Sequence, residues 1–136
     1  QYWGEARKIF ETIGHNVGLS NMYNNIGAVY YDRGNETKAL DYYLESLKYA
    51  ELEGDTLRIA TAWMNIGTVH SDRLVTRPKA ITAYRKALKL DQAIHYDRGI
   101  GAVTLNLGAA YLGMDMLDSA LYYLDISKEA SRVWKA

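Results

Sequence analysis

The chain has no cysteine, one proline and one phenylalanine among its 136 residues. Without cysteine there is no disulfide, no thiolate metal site and no cysteine nucleophile, although the compartment stays open. A single proline leaves few points at which a helix must break. Neither sign of charge dominates: Lys+Arg and Asp+Glu number 16 each, so the formal charge is zero. That balance offers no electrostatic footprint for a nucleic-acid backbone or an acidic membrane surface, so neither is expected as a partner. No apolar run approaches the length needed to span a bilayer, and no basic-then-apolar leader opens the chain. The first residue is Gln rather than Met, so the expectation is a fragment of a longer protein.

What is present favours helix. Apolar residues make up 49% and charged residues 24%, which suits a globular chain with one usable core. Ala, Leu and Lys are abundant and β-branched alternation is scarce. Twelve tyrosines must fit whatever architecture results.

Two stretches nearly coincide: YNNIGAVYYDR at Tyr23–Arg33 and WMNIGTVHSDR at Trp63–Arg73. A third, TLNLGAAYLGM, runs from Thr104 to Met114 and places Gly27, Gly67 and Gly108 in register at spacings of 40 and 41. A second word follows each first: ALDYYLESL from Ala39, AITAYRKAL from Ala80 and ALYYLDISK from Ala120. The extra residue of the middle copy falls in LVTRP, Leu74–Pro78, a loop where insertion costs little. Each word is amphipathic at helical spacing, as in Ala39, Tyr42, Tyr43, Ser46 and Leu47. Gly34 and Gly113 read as C-terminal caps, Asn35, Asp115 and Thr76 as N-caps, and Gly54-Asp55 as an end followed by a start. Pro78 is tolerated in a first turn. The opening YWGEARKIFETIG aligns with YYLESLKYAELEG from Tyr42. The chain thus reads as antiparallel helix pairs, with seven helices over 2–13, 17–33, 36–53, 56–73, 77–94, 98–112 and 116–134.

A mid-helix glycine costs about 1 kcal/mol relative to Ala. Three in register imply close helix approach, completed by the small Ala39, Ala80 and Ala120. The combination aromatic-x2-Leu-Gly-x2-Tyr, then Ala-x3-aromatic, is met by Tyr23, Ile26, Gly27, Tyr30, Ala39 and Tyr43. It is met again by Trp63, Ile66, Gly67, His70, Ala80 and Tyr84. On these residues the chain resembles the tetratricopeptide repeat family over its whole length. The third copy departs at both ends, with Thr104 and Leu124. The usual proline after the second helix is absent, and the period exceeds thirty-four residues, so the helices are longer.

The resemblance implies an all-α solenoid, a right-handed superhelix of helix pairs. It would form one array: 1–15 the second helix of a truncated repeat, then repeats over 16–54, 55–95 and 96–136. The longer-period subclass points to a regulatory piece of a larger bacterial signalling protein. The family's first helices line a concave face. Here that face would hold Asn21, Asn24, Ala28, Tyr31 and Asp32, then Thr61, Met64, Thr68, Ser71 and Asp72. The third repeat would add Ala102, Leu105, Ala109, Leu112 and Gly113. Such a face suits a protein or peptide partner. Tyr31 and Met64 would be its anchors, with Asp32 and Asp72 favouring a basic segment. Asn25, Asn65 and Asn106 recur two residues before each glycine, and the resemblance gives them a hydrogen bond, either between repeats or to a ligand. Asn24, Ala28, Ala102 and Asn106 occupy the places where some family members grip a terminal carboxylate with lysine, arginine and asparagine, so that clamp is not expected. No cofactor and no metal are expected either. His15, His70 and His95 lack an i, i+4 partner, and no catalytic constellation stands out, so the chain does not read as an enzyme. Two other readings stay open: a spacer or homodimerisation unit, with self-association through uncovered terminal helices, and a small-ligand sensor. A cytoplasmic location is preferred to a periplasmic one.

Overall fold

The structure is a computed structural model that describes residues 4–8 and 15–135. Residues 4–8 are helical, and the remainder of the helix expected over 2–13 lies outside the described residues. Six α-helices follow: α1 (Asn16–Asp32), α2 (Glu36–Glu53), α3 (Thr56–Ser71), α4 (Arg77–Ala93), α5 (Asp97–Leu112) and α6 (Leu117–Lys135). A 3-10 turn, Leu74–Thr76, precedes α4, and no strand occurs among the described residues. These bounds lie within two residues of those read from the repeat. The chain divides into two compact units, Gln1–Ala62 and Trp63–Ala136, with the boundary inside α3.

In the first unit α1 packs along α2. Buried Leu19, Met22, Tyr23 and Ile26 form the α1 side of the core. A Cβ on Gly27 would lie 2.8 Å from ring carbons of Tyr43 and 3.3 Å from the carbonyl oxygen of Ala39. The glycine is therefore required by the ring four residues beyond the small alanine, as well as by the alanine's own backbone. Further along the pair, Ser20 and Ser46 are both buried and exchange hydrogen bonds. Ser20 Oγ donates to the Ser46 carbonyl (3.0 Å) and Ser46 Oγ to the Ser20 carbonyl (2.8 Å). Much of the tyrosine content lies here. Tyr23 stacks with Tyr49 at 5.7 Å and Tyr42 with Tyr30 at 5.5 Å, and Tyr23 stands 6.0 Å from Tyr42. Rings in offset stacks supply apolar area, and phenol tips let half-buried members face water where phenylalanine could not.

The second unit repeats the design. Its core contains Ala80, Tyr84, Ala87, Val103, Leu107, Tyr111 and Ala120. Cβ atoms on Gly67 and Gly108 would meet Tyr84 at 2.7 Å and Leu124 at 2.6 Å. Thr104, in the place of the family aromatic, is fully buried, and its hydroxyl is satisfied by the Ile100 carbonyl at 2.6 Å. Ser127 Oγ donates 2.8 Å to the Gly101 carbonyl, where the first unit has its serine pair.

Four of the helix ends close identically. Asn35, Asp55, Tyr96 and Met116 each donate a backbone N–H to the carbonyl five residues back, at 2.9–3.1 Å. The residue before each of them is left-handed: Gly34 (φ +79), Gly54 (φ +68), His95 (φ +54) and Asp115 (φ +59). This is the Schellman closure. It corrects two expectations. Gly113 is not the left-handed cap but stays helical (φ −64), and Asp115 occupies the left-handed place instead of N-capping α6, whose cap position falls to Met116. The reason is register: Gly34 and Asp115 both lie seven residues after a contact glycine, and that distance fixes where the helix must end. Thr76 is a third correction. It stands at the N-cap of α4, but its hydroxyl donates back to the His70 carbonyl (2.6 Å) and caps no N–H. The inserted residue has turned this connection into a 3-10 turn, so the hydroxyl reaches the end of α3 first. Asn35 and Asp55 do cap, accepting from Lys38 and Arg58 N–H at 3.1 Å each. His15 also caps, its Nδ1 accepting from Gly18 at 2.7 Å, a role that a search for metal pairs does not reveal.

Candidate protein-interaction face

The residues expected on the first-helix face sit on α1, α3 and α5. In the first unit Asn21 and Asp32 are exposed and Asn24 and Tyr31 half-buried. Asn21 Oδ1 accepts a 2.9 Å hydrogen bond from Arg58 Nε, and Arg58 is also paired with Asp55 at 3.0 Å. Asn21 therefore ties α1 to the start of α3. Thr61 is exposed, with its hydroxyl turned back onto the Leu57 carbonyl at 2.9 Å. Asn25 is exposed at the surface of α1.

In the second unit Met64 is half-buried against the core and Asp72 is exposed. Thr68 donates to the Met64 carbonyl (3.0 Å), and its oxygen lies 3.1 Å from the Tyr84 hydroxyl. On α5, Leu105 and Leu112 are each 54% exposed and lie seven residues apart, so they share a face two turns long. Asn65 and Asn106 are half-buried. Asn106 lines a cleft of about 220 Å³ together with Ser71, Arg77, Tyr84, Ala109 and Ala110. Arg77 was absent from the residues expected on this face. It belongs to the second helix of its pair, and only its length brings the guanidinium to the end of α5. The one legible signal is the inserted residue that sets α4's start.

The ionisable groups are mostly solvated. His70, in the family's tyrosine place, is held below the usual imidazole range by burial and by the nearby Lys79 charge, so it stays neutral at pH 7. Burial pushes the Tyr43 phenol up, with a smaller push from Asp32. Asp91, on α4, is 4% exposed, and burial raises its carboxyl to about 6. Among the described residues no group of three metal-ligating side chains forms, and no helix is long and apolar enough to cross a membrane.

A pair of antiparallel helices repeated at a forty-residue period, with a ring seated on a mid-helix glycine, defines the class: an all-α helical-repeat protein. Residues 18–74 match the model of the Tetratricopeptide repeat. Two solved structures share the fold. One is BtubC (BKLC) from P. vanneervenii, with a TM-score of 0.83 and 22% identity over 99% of this chain and 56% of that one. The other is MamA, with a TM-score of 0.71 and 20% identity over 98% of this chain and 68% of that one. This chain thus spans little more than half the length of BtubC. No curated protein matches it in sequence.

Proposed function

We propose that the chain is a protein-binding module that takes an extended or helical peptide segment on its first-helix faces. Helical repeats of this family generally act as non-catalytic interaction scaffolds. The observation that carries the finer reading is the pair Leu105 and Leu112, two leucines aligned on one face of α5 and each more than half exposed. An amphipathic partner segment would bury both, and at about 25 cal/mol per Å² even a small apolar contact contributes to affinity. Tyr31 and Met64 are the further anchors, with Asp32 and Asp72 selecting basic groups beside them. Resemblance to the longer-period tetratricopeptide subclass supports placing this segment within a larger bacterial regulatory protein.

A photo-crosslinking residue at Leu105, compared with one at Leu44 on α2, tests the face. Leu44 is also exposed but belongs to a second helix. Capture of one partner from position 105, weakened by Leu112→Ala in a folded variant, is the expected result. Capture from position 44 alone would place binding on the second-helix side and sink the proposal.

A further inference from the structure

The tyrosines of the first unit form one column. Tyr23 and Tyr30 lie two turns apart on α1, and Tyr42 and Tyr49 two turns apart on α2, so their rings interleave. The order is Tyr30, Tyr42, Tyr23, Tyr49, with centroids 5.5, 6.0 and 5.7 Å apart. Lysines sit over the end rings, Lys38 Nζ 5.3 Å from the centre of Tyr30 and Lys48 Nζ 5.2 Å from that of Tyr49. The ring faces are thus taken up by one another and by ammonium groups. What Tyr23, Tyr30 and Tyr42 still present is edges and phenol tips, and the three line a cleft of about 290 Å³. Met22 and Ile26 of α1 add apolar wall, and Gly4 and Arg7, in the helical residues 4–8, complete the lining. Two features of the cleft are not explained by packing. The hydroxyls of Tyr30 and Tyr42 make no hydrogen bond among the described residues, although both side chains are half-buried. The exposed Gly4 is required by no neighbour, since a Cβ there would meet nothing within 4 Å, whereas one on Gly27 would lie 2.8 Å from the Tyr43 ring. Leu44, Arg85 and Asp125 fill the corresponding place in the later second helices, five residues after Ala39, Ala80 and Ala120. Gly4 leaves that space open.

We propose that this cleft binds a small uncharged aromatic ring bearing a hydrogen-bond acceptor, with the ring against the tyrosine edges and the acceptor on the Tyr30 or Tyr42 hydroxyl. The lining is electropositive throughout. Aromatic edges carry the positive part of the ring quadrupole, so they favour the negative face of another ring. Phenol hydroxyls can donate. Arg7, which donates a hydrogen bond to the Tyr23 phenol, supplies the one formal charge among the lining residues. A cation is therefore repelled. An aliphatic body gains nothing from the ring edges. An anion would lose hydration on entering, and the exposed, phenol-bound Arg7 compensates that poorly because water screens it. The volume lies at the low end of ligand pockets, which limits the guest to one or two rings. This goes beyond the peptide-binding reading, since the cleft belongs to the first unit, whereas Leu105 and Leu112 belong to the second.

The test is a titration of the whole chain, followed by NMR of labelled tyrosine rings, with four probes of nearly one shape. Benzamide has the ring and the acceptor, benzamidinium is its cation, benzoate its anion, and cyclohexanecarboxamide its aliphatic counterpart. Saturable shifts of Tyr30 and Tyr42 with benzamide in the millimolar range are expected, with weaker binding of the other three. The double variant Tyr30→Phe/Tyr42→Phe keeps the column and removes both hydroxyls, and it should weaken benzamide about fivefold, as for one neutral hydrogen bond. Gly4→Leu fills the open space without displacing any described neighbour, and it should weaken benzamide about tenfold or more. Absence of saturation, equal or tighter binding of benzoate, benzamidinium or cyclohexanecarboxamide, or a Gly4→Leu chain that titrates like the parent would each overturn the site. None of these outcomes bears on crosslinking at Leu105, so this site and the peptide-binding reading fail separately.

Discussion

A methyl group added to Gly67 would lie 2.7 Å from two ring carbons of Tyr84, a side chain only 2% exposed and held through its hydroxyl. Helix propensity favours Ala over Gly by about 1 kcal/mol. Overpacking a rigid ring costs about 1–3 kcal/mol, and more for a larger insert. Gly67→Ala is therefore expected to be neutral to destabilising, and Gly67→Leu to lower stability by several-fold more. Chemical denaturation of both variants decides this, and a Gly67→Leu chain as stable as the parent would refute ring-on-glycine packing. Asp91 makes a second residue-scale prediction. Its carboxyl lies over Gly99, where a Cβ would stand 2.6 Å from Oδ2, with the Tyr96 ring against the same place. The folded-state value, about 6, lies above the model-peptide value of 3.8, so the folded chain binds the proton more tightly. Stability from this group is then greatest below pH 3.8, falls as pH rises toward 6, and stays low above it. Asp91→Asn should raise stability at pH 7.5 by on the order of 2–3 kcal/mol, with the gain vanishing near pH 4. A gain that is the same at both pH values would mean that charge burial is not the cause.

Turns at the scale of the element share one closure but not one residue type. Two of the four left-handed positions hold glycine, and two hold His95 and Asp115. The left-handed conformation costs a non-glycine residue roughly 1 kcal/mol, offset in part by glycine's larger entropy when unfolded. His95→Gly is expected to stabilise the α4–α5 turn by a few tenths of a kcal/mol up to about 1 kcal/mol. Gly54→His should cost a similar amount. Thermal unfolding of the two variants measures both signs, and a destabilised His95→Gly chain would show that the imidazole makes a contact worth more than the backbone strain. The fifth connection, Leu74–Thr76, follows different rules because one inserted residue replaces the Schellman closure with a 3-10 turn. That change frees Thr76 from capping and sends Arg77 to Gly113.

For the whole molecule the exposed apolar surface matters most. On α6, Leu121 is 50% exposed, whereas Ile81, its repeat counterpart on α4, is 9% exposed. Leu117, Tyr122 and Val133 of the same helix are also exposed. A helix face with the composition of a covered one is an association surface. The chain as given is expected to self-associate with rising concentration, and Leu121→Glu should return it toward a monomer. Light scattering across a dilution series would contradict this if the parent chain stayed monomeric at high concentration.

The helices, their pairing and the contact glycines were legible because they depend on local periodicity and on a phrase repeated at fixed spacing. Gly27, Gly67 and Gly108 could be aligned by eye, and the rings or branched side chain opposite them followed from the second word of each repeat. The left-handed places were only half legible: glycine marks two, while His95 and Asp115 look like ordinary polar residues. Their conformation is set by how far a helix can run before its core-facing side ends. The Ser20–Ser46 exchange, the burial of Asp91 and the reach of Arg77 to a carbonyl 36 residues away were not legible at all. Each depends on how side chains meet in space, through side-chain length and helix crossing geometry. The sequence by itself determined the all-α repeat, since a helix pair with one apolar face must stack on its like. Only the tertiary structure decided which neighbours each polar group is spent on, such as Ser20 on Ser46 and Arg77 on the Gly113 carbonyl, because hydrogen-bond donors are assigned by distance in space.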